Sequence, residues 1–175
     1  ILAACRQRLG AEDRCQVAHR YITRRPLAEG ENHVWLSDTE FSQRLALGSF
    51  ALNWAANGLR YGIGLEIDLW LRQGCAVIVN GSRAHLPQAR SLYGPLLVPV
   101  CVVVSPERLR DRLLARGRED TVAIEQRLRR AREQEQAAMH ASDTHVIRND
   151  GPLEDAVDAL LALIAGERPP TMAWN

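Results

Sequence analysis

All of the permanent side-chain positive charge in this sequence is arginine: Lys+Arg total 22, and no lysine occurs anywhere in the 175 residues. A guanidinium is a planar fork that meets phosphate or carboxylate with two bonds at once. Clustered arginines therefore point first to an anion, although a high-GC coding bias produces the same composition with no function attached. The set Arg112, Arg116, Arg118 and Arg127 is the most informative. Arg112 and Arg116 stand one helical turn apart on one face, where like charges repel by roughly a few tenths of a kcal/mol unless an anion or acid lies between them. Gly117 supplies a hinge through which Arg127 could close over the same anion. The plainer alternative is a solvated charged face, balanced by Glu107, Asp111, Glu119 and Asp120.

Three other groupings have the right chemistry. Thr23-Arg24-Arg25-Pro26 follows a strand-like run and could hold a second phosphate, since charge-assisted hydrogen bonds contribute roughly 1.5–3 kcal/mol each; an ordinary basic loop reads the same way. Asn80-Gly81-Ser82 opens a helix, whose N–H groups could take a phosphate or sugar hydroxyl or merely cap the helix. Tyr61, between Arg60 and Gly62, is a phenol able to bond a phosphate or simply to pack. Glu66 and Asp68 fit a solvated helix start. The five histidines show no ligand spacing, so no metal site made of side chains is expected.

The elements that position these residues begin with the run 75–83. Its apolar residues between Gly74 and Gly81 read as a strand buried on both faces of a parallel sheet. In open α/β sheets ligands bind beyond the carboxyl ends of such strands, and this one ends in Asn80-Gly81-Ser82-Arg83 before a helix-like run over 84–93. A second apolar run, 98–104, ends at Ser105-Pro106, an N-cap and first turn for a helix with Leu109 and Leu113 inward. Gly117 interrupts that helix and another follows over 123–139, carrying Ile124, Leu128 and Ala131 on one face. A last strand is expected at 144–148, and an amphipathic helix starts after Asn149-Asp150-Gly151-Pro152.

Earlier in the chain, Ile1, Leu2, Cys5 and Leu9 share a helical face that Gly10 closes as a C-terminal cap would. No capping residue precedes Ile1, so the chain opens in mid-helix. Residues 15–22 read as one strand, 27–32 as a Glu- and Gly-rich loop, and 33–36 as a short strand. Ser37-Asp38-Thr39-Glu40 is a capping box for a helix over 38–47. Residues 50–56 and 59–61 form a hairpin at Asn57-Gly58. The segment 63–71 alternates like a strand but suits a helical crossover better, because a buried strand follows it.

The totals bound the rest. A chain of this length buries about 70% of its unfolded surface and needs neither disulfide nor metal to fold. The net charge of +1 implies no nucleic-acid surface. Cys5, Cys15, Cys75 and Cys101 lack zinc or redox spacing and fit a reduced, cytoplasmic protein. No segment is long and apolar enough to span a membrane, and nothing at the start reads as a signal peptide.

Taken in order, Thr23-Arg24, Phe50 through Gly58-Leu59-Arg60-Tyr61-Gly62, the strand ending at Asn80, then Arg112, Arg116-Gly117-Arg118, Arg127-Leu128 and Asn149-Asp150 resemble the guanylate kinase family over nearly the whole chain. The resemblance implies an α/β fold, a P-loop-kinase-like three-layer sandwich with a parallel central sheet. It implies one kinase domain over 1–168, an acceptor-binding lobe over 24–62, an arginine-bearing lid over 112–130 and a tail over 169–175. It assigns Arg24 and Tyr61 to the acceptor's phosphate, Arg112, Arg116 and Arg127 to the transferring phosphates, and Asn149 and Asp150 to the adenine end of ATP.

Two departures redirect the acceptor. Guanylate kinases read guanine with a Glu in a Phe-x-Glu segment and an Asp at a strand end, where this sequence has Leu52 and Ser82, with Asn80 at the other acidic position. A site built to hydrogen-bond a base rejects an analogue by about 10⁴–10⁵, so loss of both carboxylates argues against guanylate. The strings Gly30-Glu31-Asn32-His33, Glu66-Ile67-Asp68-Leu69-Trp70-Leu71 and Val79-Asn80-Gly81-Ser82-Arg83-Ala84-His85-Leu86-Pro87 are similar instead to the ribose 1,5-bisphosphate phosphokinase branch. That branch acts in bacterial phosphonate breakdown and makes 5-phosphoribosyl 1-diphosphate. The resemblance then implies ATP and Mg²⁺ as cofactors, small-molecule partners only, and Asn80, Ser82 and Asp68 against ribose hydroxyls. The strand and Gly-x-x-x-x-Gly-Lys loop that open the family are not in this sequence, which leaves a trimmed or inactive fragment as an expectation. The alternatives are a nucleoside monophosphate kinase of altered base preference and a catalytically dead binding module of the same fold. The oligomeric state is not legible.

Overall fold

The structure, a computed structural model, describes residues 1–26, 32–117 and 120–166, the side chain of Arg116 excepted. Residues 27–31, within the loop expected over 27–32, together with Arg118, Glu119 and residues 167–175, which include the expected tail, lie outside the described residues. The chain divides into two compact units, Ile1–Gly94 with the segment from Ile164, and Pro95–Leu163.

The first unit opens with α1 (Leu2–Arg8), whose Cys5 is fully buried. Gly10 does not end the helix in a left-handed turn: its φ of −97° is extended backbone, and its N–H instead meets Asp13 Oδ2 at 2.7 Å. The single strand expected over 15–22 is two, β1 (Cys15–Val17) and β2 (Arg20–Ile22), which belong to different sheets. Ala18 N still donates to Ile78 O, after which the chain leaves the first ladder for the second.

β1 pairs in parallel with β6 (Ala76–Ile78). All three β6 residues are only half-buried, not buried on both faces as their apolar character predicts. The reason is pairing: a parallel strand is buried by neighbours at both edges and helices on both faces, and β6 has one ladder partner among the described residues.

The second sheet has the order β3-β2-β5-β4. β3 (His33–Trp35) runs parallel to β2, while β5 (Leu59–Gly64) is antiparallel to both β2 and β4 (Phe50–Ala56). The hairpin turn is where the sequence places it, with Asn57 and Gly58 both at positive φ, 52° and 73°, the combination a two-residue type I′ turn requires. α2 (Asp38–Ala46) starts at Ser37, whose Oγ accepts from Glu40 N at 3.1 Å.

A register shift between Phe50 and Leu52 gives this sheet two different faces. An extra residue in one strand reverses the side-chain alternation beyond it. Phe50 therefore packs with Tyr21, Phe41 and Leu36 on the α2 side. Leu52 and Trp54 take the other side with Ile22 and Ile63, and all four are buried. β5 runs on through Gly62 and Gly64, past the expected end at Tyr61. α3 (Glu66–Arg72) then supplies the helical part of the ambiguous segment. After β6, a 3-10 turn at Arg83–His85 leads into α4 (Leu86–Tyr93).

The second unit pairs β7 (Val100–Val103) in parallel with β8 (His145–Arg148). β7 is likewise not buried throughout, with Val102 44% exposed, again because it has one ladder partner among the described residues. α5 (Pro106–Arg116) ends at Gly117 in the left-handed region (φ 59°), and α6 (Thr121–His140) is capped by Asp120, whose carboxylate accepts from Ala123 N at 2.8 Å. Leu109 and Leu113 of α5 pack on Ile124 and Leu128 of α6, the seam the sequence indicates. α7 (Leu153–Gly166) buries Ala156, Val157 and Leu160.

Candidate active site

In the first unit the Thr23-Arg24 motif and Tyr61 are brought together by backbone pairing. Tyr61 faces Ile22 across the β2–β5 ladder. Just beyond it, Thr23 N donates to Arg60 O at 3.1 Å and Arg60 N returns a bond to Thr23 Oγ1 at 3.0 Å. This reciprocal pair fixes the backbone from which Arg24 leaves the sheet. The Arg24 carbonyl lies 2.8 Å from His33 Nε2, so β3 holds the same corner from its other side. Arg60 itself faces away: it lies over the Phe41 ring at 4.4 Å and donates to Ser42 Oγ at 2.7 Å.

Tyr61 stands against Trp54, its direct cross-strand partner, with ring centroids 5.4 Å apart and planes 6° from parallel. The Trp54 ring also meets His85 at 5.8 Å. His85 closes the turn that begins at Ser82, its N–H donating to Ser82 O at 3.0 Å. Through this contact the loop carrying Asn80 (exposed) and Ser82 (half-buried) is tied to the wall carrying Tyr61. Sequence reasoning passed over Trp54 and His85, yet they join two motifs that it had picked separately. The signal was available, since residues at equal distances from a two-residue turn are cross-strand partners.

Asp68, on the first turn of α3, accepts a hydrogen bond from Tyr93 Oη at 2.9 Å. Burial, followed by the bond and charge of Asp68, raises the Tyr93 hydroxyl well above the usual tyrosine range. Asp68 is therefore a seated carboxylate and not part of a merely solvated face.

In the second unit Ser105 N donates to Asp150 Oδ1 at 2.6 Å, joining the start of α5 to the end of β8. That bond first, then the nearby guanidiniums of Arg148 and Arg112, holds the Asp150 carboxyl below its ordinary range. Arg112 thus lies close enough to Asp150 for its charge to favour the carboxylate, a relation that sequence spacing did not reveal. Arg127 lies on the exposed side of α6 beside the buried Leu128, and Arg116 is the last residue of α5.

Asn149 N donates to Val103 O at 2.9 Å, extending the β7–β8 ladder, while its side-chain Oδ1 is buried with no hydrogen-bond partner. A buried acceptor left alone is costly, and an amino group on a nucleotide base would satisfy it, so the residues present fit such a ligand. Among the described residues no group of three or more His, Cys, Asp or Glu side chains could hold a metal ion. Mg²⁺ usually binds through one or two carboxylates plus substrate phosphates and needs no such group. The four cysteines are free, and among the described residues no helix is long and apolar enough to cross a membrane.

No family model matches the chain. It is 54% identical over 148 residues to a ribose 1,5-bisphosphate phosphokinase of Enterobacter lignolyticus, covering 85% of this chain and 76% of that protein. The same name belongs to relatives from Pectobacterium parmentieri, 50% identical over 89% of this chain and 81% of the relative, and from Klebsiella pneumoniae, 49% identical over 94% and 84%. Among solved structures, guanylate kinase from Anaplasma phagocytophilum superposes with a TM-score of 0.68 at 15% identity, over 97% of this chain and 82% of that one. The guanylate kinase fold expected from the sequence is thereby shown, and at half-identity over most of its length this chain belongs to the ribose 1,5-bisphosphate phosphokinase family.

Proposed function

We propose that the protein passes the terminal phosphoryl group of ATP to the 1-phosphate of ribose 1,5-bisphosphate, giving ADP and 5-phosphoribosyl 1-diphosphate, as a cytoplasmic enzyme of phosphonate breakdown. The observation that carries the choice of acceptor is Leu52. It sits at 7% exposure on the Trp54 side of the sheet, opposite Ile63, where a base-reading kinase needs a carboxylate. Ser82 and Asn80 at the end of β6 are neutral as well. These groups suit hydroxyls and leave a purine's N–H donors without an anionic partner.

The chemistry follows from the acceptor. The attacking atom is an oxygen of the 1-phosphate, already ionised at neutral pH, so no general base is required. One P–O bond forms to the γ-phosphorus, the bond from that phosphorus to the β–γ bridging oxygen breaks, and ADP leaves with the electron pair. The obstacle is bringing two polyanions together, and catalysis is mainly positioning and charge stabilisation. Arg24 and Tyr61 hold the 1-phosphate. Arg112, Arg116 and Arg127 grip the transferring group, where a closing arginine contributes about 10³–10⁵ in rate. Asn149 and Asp150 mark the adenine end, and Asn80, Ser82 and Asp68 the ribose. Bound Mg²⁺ would supply further neutralisation of the donor phosphates, beside Arg112, Arg116 and Arg127.

Calorimetric titration of the chain with ribose 1,5-bisphosphate and with each nucleoside monophosphate tests this reading. Tightest binding of the sugar bisphosphate is expected. Tighter binding of any nucleoside monophosphate would replace it with a base-reading kinase.

A further inference from the structure

Arg20 is assigned no role by the motifs above, yet it stands over the ring of a residue that is. Its guanidinium carbon is 5.7 Å from the centroid of Tyr61. In the sheet order β3-β2-β5-β4, β2 and β4 flank β5 from opposite sides. Arg20 therefore takes the face of Tyr61 turned away from Trp54, as the diagonal neighbour of Tyr61 beside the paired Ile22.

Arg20 opens β2 and Arg24 follows two residues after its end, beyond a bend at Thr23, so their Cα atoms lie at most roughly 14 Å apart on either side of Ile22, the partner of Tyr61. The acceptor proposed above is a five-carbon sugar with a phosphate at each end, and one cationic grip cannot hold both ends. Resting on that reading, we propose that Arg20 binds the 5-phosphate of the acceptor, the end that does not react, while Arg24 and Tyr61 hold the 1-phosphate. Arg20 is then the residue that distinguishes a doubly phosphorylated sugar from a singly phosphorylated one.

The test is calorimetric titration of the full chain and its R20Q and R20K variants with ribose 1,5-bisphosphate and with ribose 1-phosphate, which lacks only the 5-phosphate. The wild-type chain is expected to prefer the bisphosphate at least tenfold. R20Q should abolish that preference while leaving ribose 1-phosphate affinity within twofold, which also shows that the variant is folded. R20K, which keeps the charge and loses the fork, should fall between. A preference that survives R20Q overturns the assignment, and so does an equal loss of both ligands, which would make Arg20 structural. If the wild type prefers a nucleoside monophosphate over both sugars, the acceptor reading fails and the assignment falls with it.

Discussion

Trp54 and Tyr61 form a near-parallel ring pair across the β4–β5 ladder, centroids 5.4 Å apart, and that pair is the joint between the Thr23-Arg24 corner and the loop after β6. Such a pair contributes about 0.5–1.5 kcal/mol beyond its buried area, and Trp54 is only 7% exposed. Trp54→Ala should therefore cost about 3–5 kcal/mol, measured by urea unfolding. Trp54→Phe should recover most of that stability and, by preserving a ring for His85, most of the acceptor affinity.

Gly62 has a packing cause that is independent of turns. A Cβ at this position would lie 2.6 Å from Cδ1 and Cε1 of Phe50, a ring already stacked on Phe41 at 4.7 Å. The ring cannot yield without disturbing that cluster. Gly62→Ala should destabilise by about 1–3 kcal/mol, the range for overpacking a filled site. In the same urea unfolding measurement, the gentler effect of Gly58→Ala would come from its φ of 73° alone, because nothing lies within 4 Å of a Cβ there.

The Tyr93–Asp68 bond sets a pH dependence on the alkaline side. Burial and the carboxylate raise the Tyr93 pKa above its ordinary 10.0, so the neutral phenol is the form the fold stabilises. That contribution is complete below pH 10 and is lost as pH rises through the elevated folded value. Ultraviolet titration near 295 nm should show a tyrosine step above the ordinary range, from Tyr93. Tyr93→Phe should remove the late step and weaken acceptor binding, through Asp68, more than ATP binding.

Asp150 acts on the acid side with the opposite sign. Its carboxyl is held below the ordinary 3.8, first by the Ser105 N–H and then by Arg148 and Arg112. Its contribution is therefore present above pH 4 and disappears as pH falls through the depressed value. A carboxyl-carbon NMR titration should place its midpoint below the ordinary aspartate value. Asp150→Asn should flatten this part of the acid unfolding curve and shift no alkaline step.

Much of this was legible because local chemistry fixed it. Ser37, Asn57-Gly58, Ser105-Pro106 and Gly117 mark their element ends by caps and turns that need no tertiary partner. The α5–α6 seam was readable from the spacing of Leu109, Leu113, Ile124 and Leu128. Burial of the strands was not, because the apolar residues of Ala76–Ile78 and Val100–Val103 state a preference whose fulfilment depends on neighbours elsewhere in the chain. The split between Val17 and Arg20 escaped for the same reason: nothing local says that two consecutive strands join different sheets. At the candidate site, the sequence singles out Arg24, Tyr61, Asn80 and Ser82, while the ring contacts around Tyr61 and the loop after β6 run through Arg20, Trp54 and His85, whose types alone suggest ordinary packing.

The central claim is that the acceptor is a sugar bisphosphate and not a nucleotide. Its most direct test is ³¹P NMR of the enzyme supplied with ATP, Mg²⁺ and equal amounts of ribose 1,5-bisphosphate and GMP. Loss of the 1-phosphate signal and growth of the paired diphosphate signals of 5-phosphoribosyl 1-diphosphate are expected, with GMP untouched. Formation of GDP in preference to that product would contradict it.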